Sequence, residues 1–141
     1  ILTPTDRTDR EALRRVEEMW RAVGMRTCEM APEEHDRRVA LASHLVHVAA
    51  TCLVNVQTPA SLDVAASGFA DATRMAAGDP LLWRDICLDN ATEIAFAIDN
   101  LCRELAAFRS LVEKADSQAI FERFAKASDA RTRWAERTRR R

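Results

Sequence analysis

Glycine and proline are scarce, three and four among 141 residues. That is too little punctuation for a chain of many short strands, and Ala, Leu, Arg and Glu dominate instead, a balance that favours helix. No Gly-rich turn of the GxGxxG kind occurs, so the phosphate cradle of a dinucleotide fold is not among these residues. No CxxC pair occurs either. The four cysteines (Cys28, Cys52, Cys87, Cys102) are widely spaced in apolar stretches, where reduced core thiols and a cytoplasmic protein are expected. We find no signal or transit peptide and no apolar run near 18 residues, so a membrane partner is not expected. Net charge is −1 with both signs interspersed, which gives no footprint for nucleic acid. The basic run Arg137, Arg139, Arg140 and Arg141 reads as a solvated helix end. What remains is a globular composition, 48% hydrophobic and 30% charged, long enough for an apolar core.

The chain opens on Ile1-Leu2-Thr3-Pro4 rather than on Met, which we read as the continuation of an upstream segment. Residues 1–30 have a strand–helix–strand pattern. Leu2 lies in the first strand, a capping box of Thr8 and Glu11 starts the helix, and Leu13, Val16, Met19, Trp20 and Val23 form its apolar face. Gly24 stops it, and Met25–Met30 alternates as a second short strand. From Pro32 the pattern is helical: one helix to about Val54 or Val56, and a short one capped by Ser61 and ended by Gly68. A segment from Phe69 follows, stopped at Gly78, and then a helix opened by the cap-plus-proline pair Asp79-Pro80. Asn90 caps or kinks a long helix to about Lys114, and Asp116 or Ser117 starts the last. The expected domains are therefore 1–30, the closing piece of an α/β domain, and 31–141, a helical domain.

The helix from Asp36 to Val54 is apolar over most of its circumference, which normally marks the middle of a domain or an interface. Asp36, Ala40, Ser43 and His47 nevertheless share a narrow sector, with His44 beside it. Such a stripe must face side chains, water or a ligand. A buried Ser or His bonded to a neighbouring helix explains it equally well. His44 and His47 at i, i+3 also permit a metal reading, and His35-Asp36 superficially resembles the HD phosphohydrolases. The further ligands that family needs are absent, because all three histidines lie in this one segment.

A second constellation follows. Asp71 and Arg74 stand at i, i+3, suited to an ion pair that holds the guanidinium while leaving part of its fork for a carboxylate ligand. An ordinary surface salt bridge is the plain alternative. Trp83, just after Asp79-Pro80, is either a core anchor or a wall of a site.

Taken together, Met30-Ala31-Pro32-Glu33-Glu34-His35-Asp36, Ala42-Ser43-His44-Leu45-Val46-His47, Gly68-Phe69-x-Asp71-x-Thr73-Arg74, Asp79-Pro80-x-x-Trp83-x-Asp85-Ile86 and Asn90 resemble the prephenate and arogenate dehydrogenases of tyrosine biosynthesis. Order and spacing agree over essentially the whole chain. The resemblance implies a mostly α fold, a helical dimerisation domain of the 6-phosphogluconate dehydrogenase C-terminal kind. It also implies a homodimer, prephenate or arogenate as substrate, tyrosine as a possible inhibitor, and NAD or NADP held mainly by an upstream nucleotide-binding domain. By the same resemblance Arg74 binds a substrate carboxylate, and His47 hydrogen-bonds the substrate with support from His44 and Ser43. Asp71 orients the site and Trp83 helps close it. The catalytic base, a His of the nucleotide domain, is expected upstream, so these residues alone are expected to be inactive. One departure is Val46, where the family run has Pro. Two other readings stay open, a purely structural helical dimerisation module and a metal-dependent HD-type hydrolase.

Overall fold

The computed structural model describes residues 1–139, so Arg140 and Arg141 of the C-terminal basic run lie outside the described residues. Its helices, in chain order, are α1 (Arg10–Ala22), α2 (Pro32–Val39), α3 (Leu45–Asn55), α4 (Pro59–Leu62), α5 (Ser67–Thr73), α6 (Pro80–Asp89), α7 (Ala91–Glu113) and α8 (Ser117–Arg139). A π-helical turn, Ala40–His44, joins α2 to α3, and a 3₁₀ turn, Arg74–Ala77, follows α5. The mostly helical fold class stands.

The expected strands shrink to one parallel bridge between Leu2 and Glu29. Leu2 N donates to Cys28 O at 2.9 Å and Met30 N to Leu2 O at 3.1 Å. A single bridge has no neighbouring strand to extend it, so strand–helix–strand is not established here. Local signals held unevenly. Asp9, not Thr8, caps α1, accepting from Ala12 N at 2.7 Å, because Thr8 Oγ1 is taken by Thr5 N in the preceding turn. Gly24 does end α1, with φ of 82°, the left-handed value that a Cβ disfavours. Thr58, not Ser61, caps α4, and Ser61 reciprocates from the third position as the other half of a capping box. Gly68 lies inside α5 rather than ending a helix. Asp79 caps α6 as expected, accepting from Leu81 N at 2.8 Å, with Pro80 in the first turn.

Residues Ile1–Ile98 form one compact unit and those from Asp99 onward a second. In the first, the core is small. Ala40, Ile94 and Ala97 are buried, and Leu45, Val48, Ile86, Cys87 and Ile98 pack around them. Alanines at 40 and 97 have no bulk beyond Cβ, which lets the start of α7 approach the π turn closely. In the second unit α7 and α8 are joined by a tight turn. Asp116 N donates to Leu111 O and Ala115 N to Val112 O, the two-bond cap in which the residue at Ala115 turns left-handed, here with φ of 51°. Phe108 meets Phe124 edge-on at 5.4 Å, and Arg123 pairs with Glu104.

The expected burial of the cysteines fails for three of the four. Cys28, Cys52 and Cys102 are exposed and so are not core residues; Cys87 is half-buried and packs against the core, and all four are free thiols. Apolar context in the sequence overstated burial because this chain leaves many large apolar side chains uncovered. Leu41, Val46 and Leu53 on the central helix are about half exposed, and Phe96, Phe121, Phe124 and Trp134 more so. The continuous helix Pro32–Asn55 is also, by length and composition, long and apolar enough to cross a membrane, the one such helix among the described residues. That corrects the reading of no long apolar run. Core helices of water-soluble proteins meet the same criterion, and this one carries the polar stripe.

Candidate functional site

The π turn sets the site. Leu45 N donates to Ala40 O, five residues back instead of four, so the helix is locally widened by one residue. Such turns inside α-helices recur at functional sites. The widened stretch carries Ser43 and His44, and His47 follows one turn later.

Trp83 of α6 gathers the two histidines. His47 stacks on its indole with ring centres 3.5 Å apart and planes at 26°. His44 meets the same indole edge-on at 6.1 Å. His47 Nδ1 also bonds to the Ser43 carbonyl at 3.1 Å. The expected cluster of Ser43, His44, His47 and Trp83 is therefore assembled. Beside it lies an open cavity of about 360 Å³, with His47, Thr51, Cys52, Met75, Gly78 and Trp83 in its walls. That volume suits a small organic ligand with one or two polar anchors. Burial holds the His44 imidazole below its ordinary value; His35 pushes it further down, Asp36 opposes this, and His47 adds a smaller push downward.

Asp71 and Arg74 are not brought together. Among the described residues Asp71 and Arg74 make no ion pair with each other or with any other group, and both are exposed. The physical reason is the backbone. The α geometry ends at Thr73, whose hydroxyl donates to Phe69 O at 2.7 Å, and the chain tightens to 3₁₀ from Arg74 onward. At Thr73 the backbone leaves helical dihedrals, with φ of −104° and ψ of 0°, so the i, i+3 register of one regular helix does not carry from Asp71 across to Arg74. Arg74 is not in the cavity wall, although the next two residues, Met75 and Ala76, are.

For two residues the sequence showed a place but not the contact they make. Gly78 lies directly under the Trp83 ring, where a Cβ would come within 2.5 Å of Nε1 and 2.8 Å of Cδ1. Its place before Asp79-Pro80 was visible, but the approach of the indole was not. Asn90, at the α6–α7 junction, reaches back across the fold, its Nδ2 2.9 Å from Asp36 O and 3.4 Å from His44 Nδ1. His35 Nδ1 and Asp36 Oδ1 bond to each other at 2.9 Å. No cluster of three or more His, Cys, Asp or Glu with metal-binding geometry exists among the described residues.

An all-helical domain with a histidine–tryptophan cavity beside a π turn is the class that fold and site define. Residues 31–126 match the family model described as prephenate dehydrogenase, dimerization domain, and the chain belongs to that family. Among relatives it is 37% identical over 138 residues to the prephenate dehydrogenase of Bacillus subtilis, a match covering 93% of this chain and 37% of that protein. It is 34% identical to the cyclohexadienyl dehydrogenase of Zymomonas mobilis, covering 93% and 47%. Among solved structures it resembles prephenate dehydrogenase from A. aeolicus in complex with hydroxyphenyl propionate and NAD+. That likeness has a TM-score of 0.84 and 32% identity, and covers 92% of this chain and 48% of that one. The chain thus spans less than half the length of each of these proteins.

Proposed function

We propose that this chain is the substrate-binding and dimer-forming part of a dehydrogenase that oxidatively decarboxylates prephenate or arogenate with a nicotinamide cofactor. The observation that carries the reading is the His47–Trp83 stack at the edge of a 360 Å³ cavity, within a domain of this family. Prephenate is a ring with two carboxylates. An indole wall with the His47 imidazole answers the ring and its polar substituents, and an exposed guanidinium without an internal partner answers a carboxylate. Arg74 has that character. His47 is the hydrogen-bonding group, Ser43 and His44 hold the polar stripe around it, and Trp83 is the wall. Asp71, though unpaired with Arg74, orients the site from α5.

The residues present do not fit a dinucleotide. Gly24, Gly68 and Gly78 are isolated and none begins a GxGxxG turn. No residue of this chain is therefore assigned to the cofactor. We infer that the cofactor site, the catalytic base and the choice of NAD or NADP belong to polypeptide outside these 141 residues, so that the domain alone turns nothing over. A homodimer fits the half-exposed apolar side chains of the helix Pro32–Asn55, because uncovered apolar surface of this extent is unusual in a monomer. Tyrosine, a close relative of the product, would compete at the same cavity. Four free thiols fit a reducing cytoplasm.

The test uses the full-length enzyme. Arg74→Ala should raise the KM for prephenate about tenfold or more, the loss of one charged hydrogen bond of about 1.5–3 kcal/mol. An unchanged KM would remove the carboxylate role. If the chain dimerised yet no variant of His47, Trp83 or Arg74 altered substrate binding, the structural dimerisation module would be the correct reading. Stoichiometric bound zinc or iron would favour the hydrolase instead.

A further inference from the structure

The hydrogen bonds around the two histidines fix which ring nitrogen of each carries the proton. The reasoning starts from a group that can only accept. The carbonyl of Asp36 has no hydrogen to give, so the Asn90 side-chain atom 2.9 Å from it must be the amide nitrogen. Turning the amide over would set two oxygens against each other. That same nitrogen, with a second hydrogen to donate, lies 3.4 Å from His44 Nδ1. A nitrogen facing an N–H donor must accept, so Nδ1 of neutral His44 is bare and its proton sits on Nε2. His47 has the opposite environment. Its Nδ1 lies 3.1 Å from the Ser43 carbonyl, again a pure acceptor, so Nδ1 carries the proton and Nε2 has the free lone pair.

We propose that Asn90 is a positioning residue that locks His44 as the Nε2–H tautomer, opposite to the Nδ1–H tautomer of His47, so that the pair offers one donor and one acceptor. Both rings touch the Trp83 indole, which restrains them further. His47 lines the cavity, where its bare Nε2 suits the proton of a ligand hydroxyl; His44 is not in that wall, and its Nε2–H suits a group that only accepts, such as a carboxylate oxygen beside the cavity. This use of the pair rests on the dehydrogenase reading, whereas the tautomers do not. The low proton affinity of His44 is consistent, since a donor aimed at Nδ1 opposes its protonation just as burial does. Of the groups acting on that ring, His35, Asp36 and His47 share its helix, and the neighbouring elements contribute Asn90 and Trp83, which do not titrate in the accessible range.

The experiment is long-range ¹H–¹⁵N correlation spectroscopy of the full-length protein with ¹⁵N-labelled histidine near pH 8, with His44→Gln and His47→Gln to assign signals. The wild type should show a bare Nδ1 in His44 and a bare Nε2 in His47. Asn90→Asp replaces the donor with an acceptor, so His44 should change to Nδ1–H while His47 stays as it was. A wild-type His44 protonated on Nδ1, or a folded Asn90→Asp protein with unchanged His44, overturns the proposal. If Asn90→Asp does not fold, the wild-type spectrum alone decides. Expected spectra combined with prephenate binding unchanged in variants of His47, Trp83 and Arg74 would sink the dehydrogenase reading and leave this one standing; altered binding combined with a wild-type His44 protonated on Nδ1 would do the opposite.

Discussion

Gly78→Ala isolates the role of the His47–Trp83 stack. A methyl group at this position would meet Nε1 at 2.5 Å and Cδ1 at 2.8 Å. Ordinary carbon contacts lie near 3.5–4.0 Å, so the indole must retreat by about 1 Å. Trp83 is only half-buried and its ring is the far end of a side chain, so it can swing outward rather than force the backbone. The stability cost should therefore sit at the low end of overpacking, about 1 kcal/mol, or roughly 3 °C in Tm for a chain of this size. The stack is less forgiving. At 3.5 Å between ring centres, a 1 Å displacement forfeits about half of an interaction worth about 0.5–1.5 kcal/mol. The assay is NMR of the His47 ring protons, which lie in the shielding cone of the indole and should move downfield in Gly78→Ala. On the function proposed above, the same variant in the full-length enzyme should raise KM for prephenate more than it lowers kcat. Unchanged His47 shifts in a folded variant would refute the reasoning, because the indole would then have somewhere else to go.

The turn between α7 and α8 offers a gain instead of a loss. Ala115→Gly removes the Cβ from a left-handed residue and should stabilise the protein by about 1 kcal/mol, read from urea unfolding; a destabilised variant would mean that Ala115 packs more than it strains. The lowered proton affinity of His44 gives a pH effect. The folded imidazole binds a proton less readily than the unfolded one. Stability is therefore full above the ordinary histidine value near 6.5 and declines as pH falls below it. Thermal melts between pH 8 and pH 5 should show that decline, and His44→Gln should flatten it. An equal slope in the variant would assign the effect to other groups.

How much of this was legible in the sequence depends on the range of the interaction. Helix existence came from apolar spacing and from caps such as Asp79-Pro80, which act within four residues. The stripe of Ser43, His44 and His47 came from helical spacing, and the grouping of Trp83 with it was implied by the family resemblance. Asp71 and Arg74 failed as a pair because the spacing argument assumed one continuous helix across Thr73, where the backbone leaves helical dihedrals. The role of Asn90 was out of reach because its partners lie 54 and 46 residues away. The cysteines were misjudged for a related reason: local apolar context predicts burial only when something covers it, and the central helix is largely uncovered in this chain.

The π turn joins these threads, and Val46 tests its cause. Where the family run has Pro, this chain keeps a residue with an N–H, yet the helix still widens between Ala40 and Leu45. Proline is therefore not what opens it here. The close-packed Ala40, buried against Ile94 and Ala97, and the Asn90 bond to the Asp36 carbonyl hold the turn from outside. A helix opened in advance has more room for a pyrrolidine ring just beyond it, and Val46 is about half exposed. In a regular helix interior, proline costs about 3 kcal/mol or more through the lost hydrogen bond and the clash with the carbonyl four residues back. Val46→Pro should cost about 1 kcal/mol or less, because the clash is relieved and the stiffer unfolded chain returns part of the loss. Denaturant unfolding measures this directly. In an Asn90→Ala background, where the turn loses its outside support, the same substitution should cost more. A loss of 3 kcal/mol or above in the wild-type background would mean that the turn gives proline no extra room, and that the widening belongs to packing at Ala40 alone.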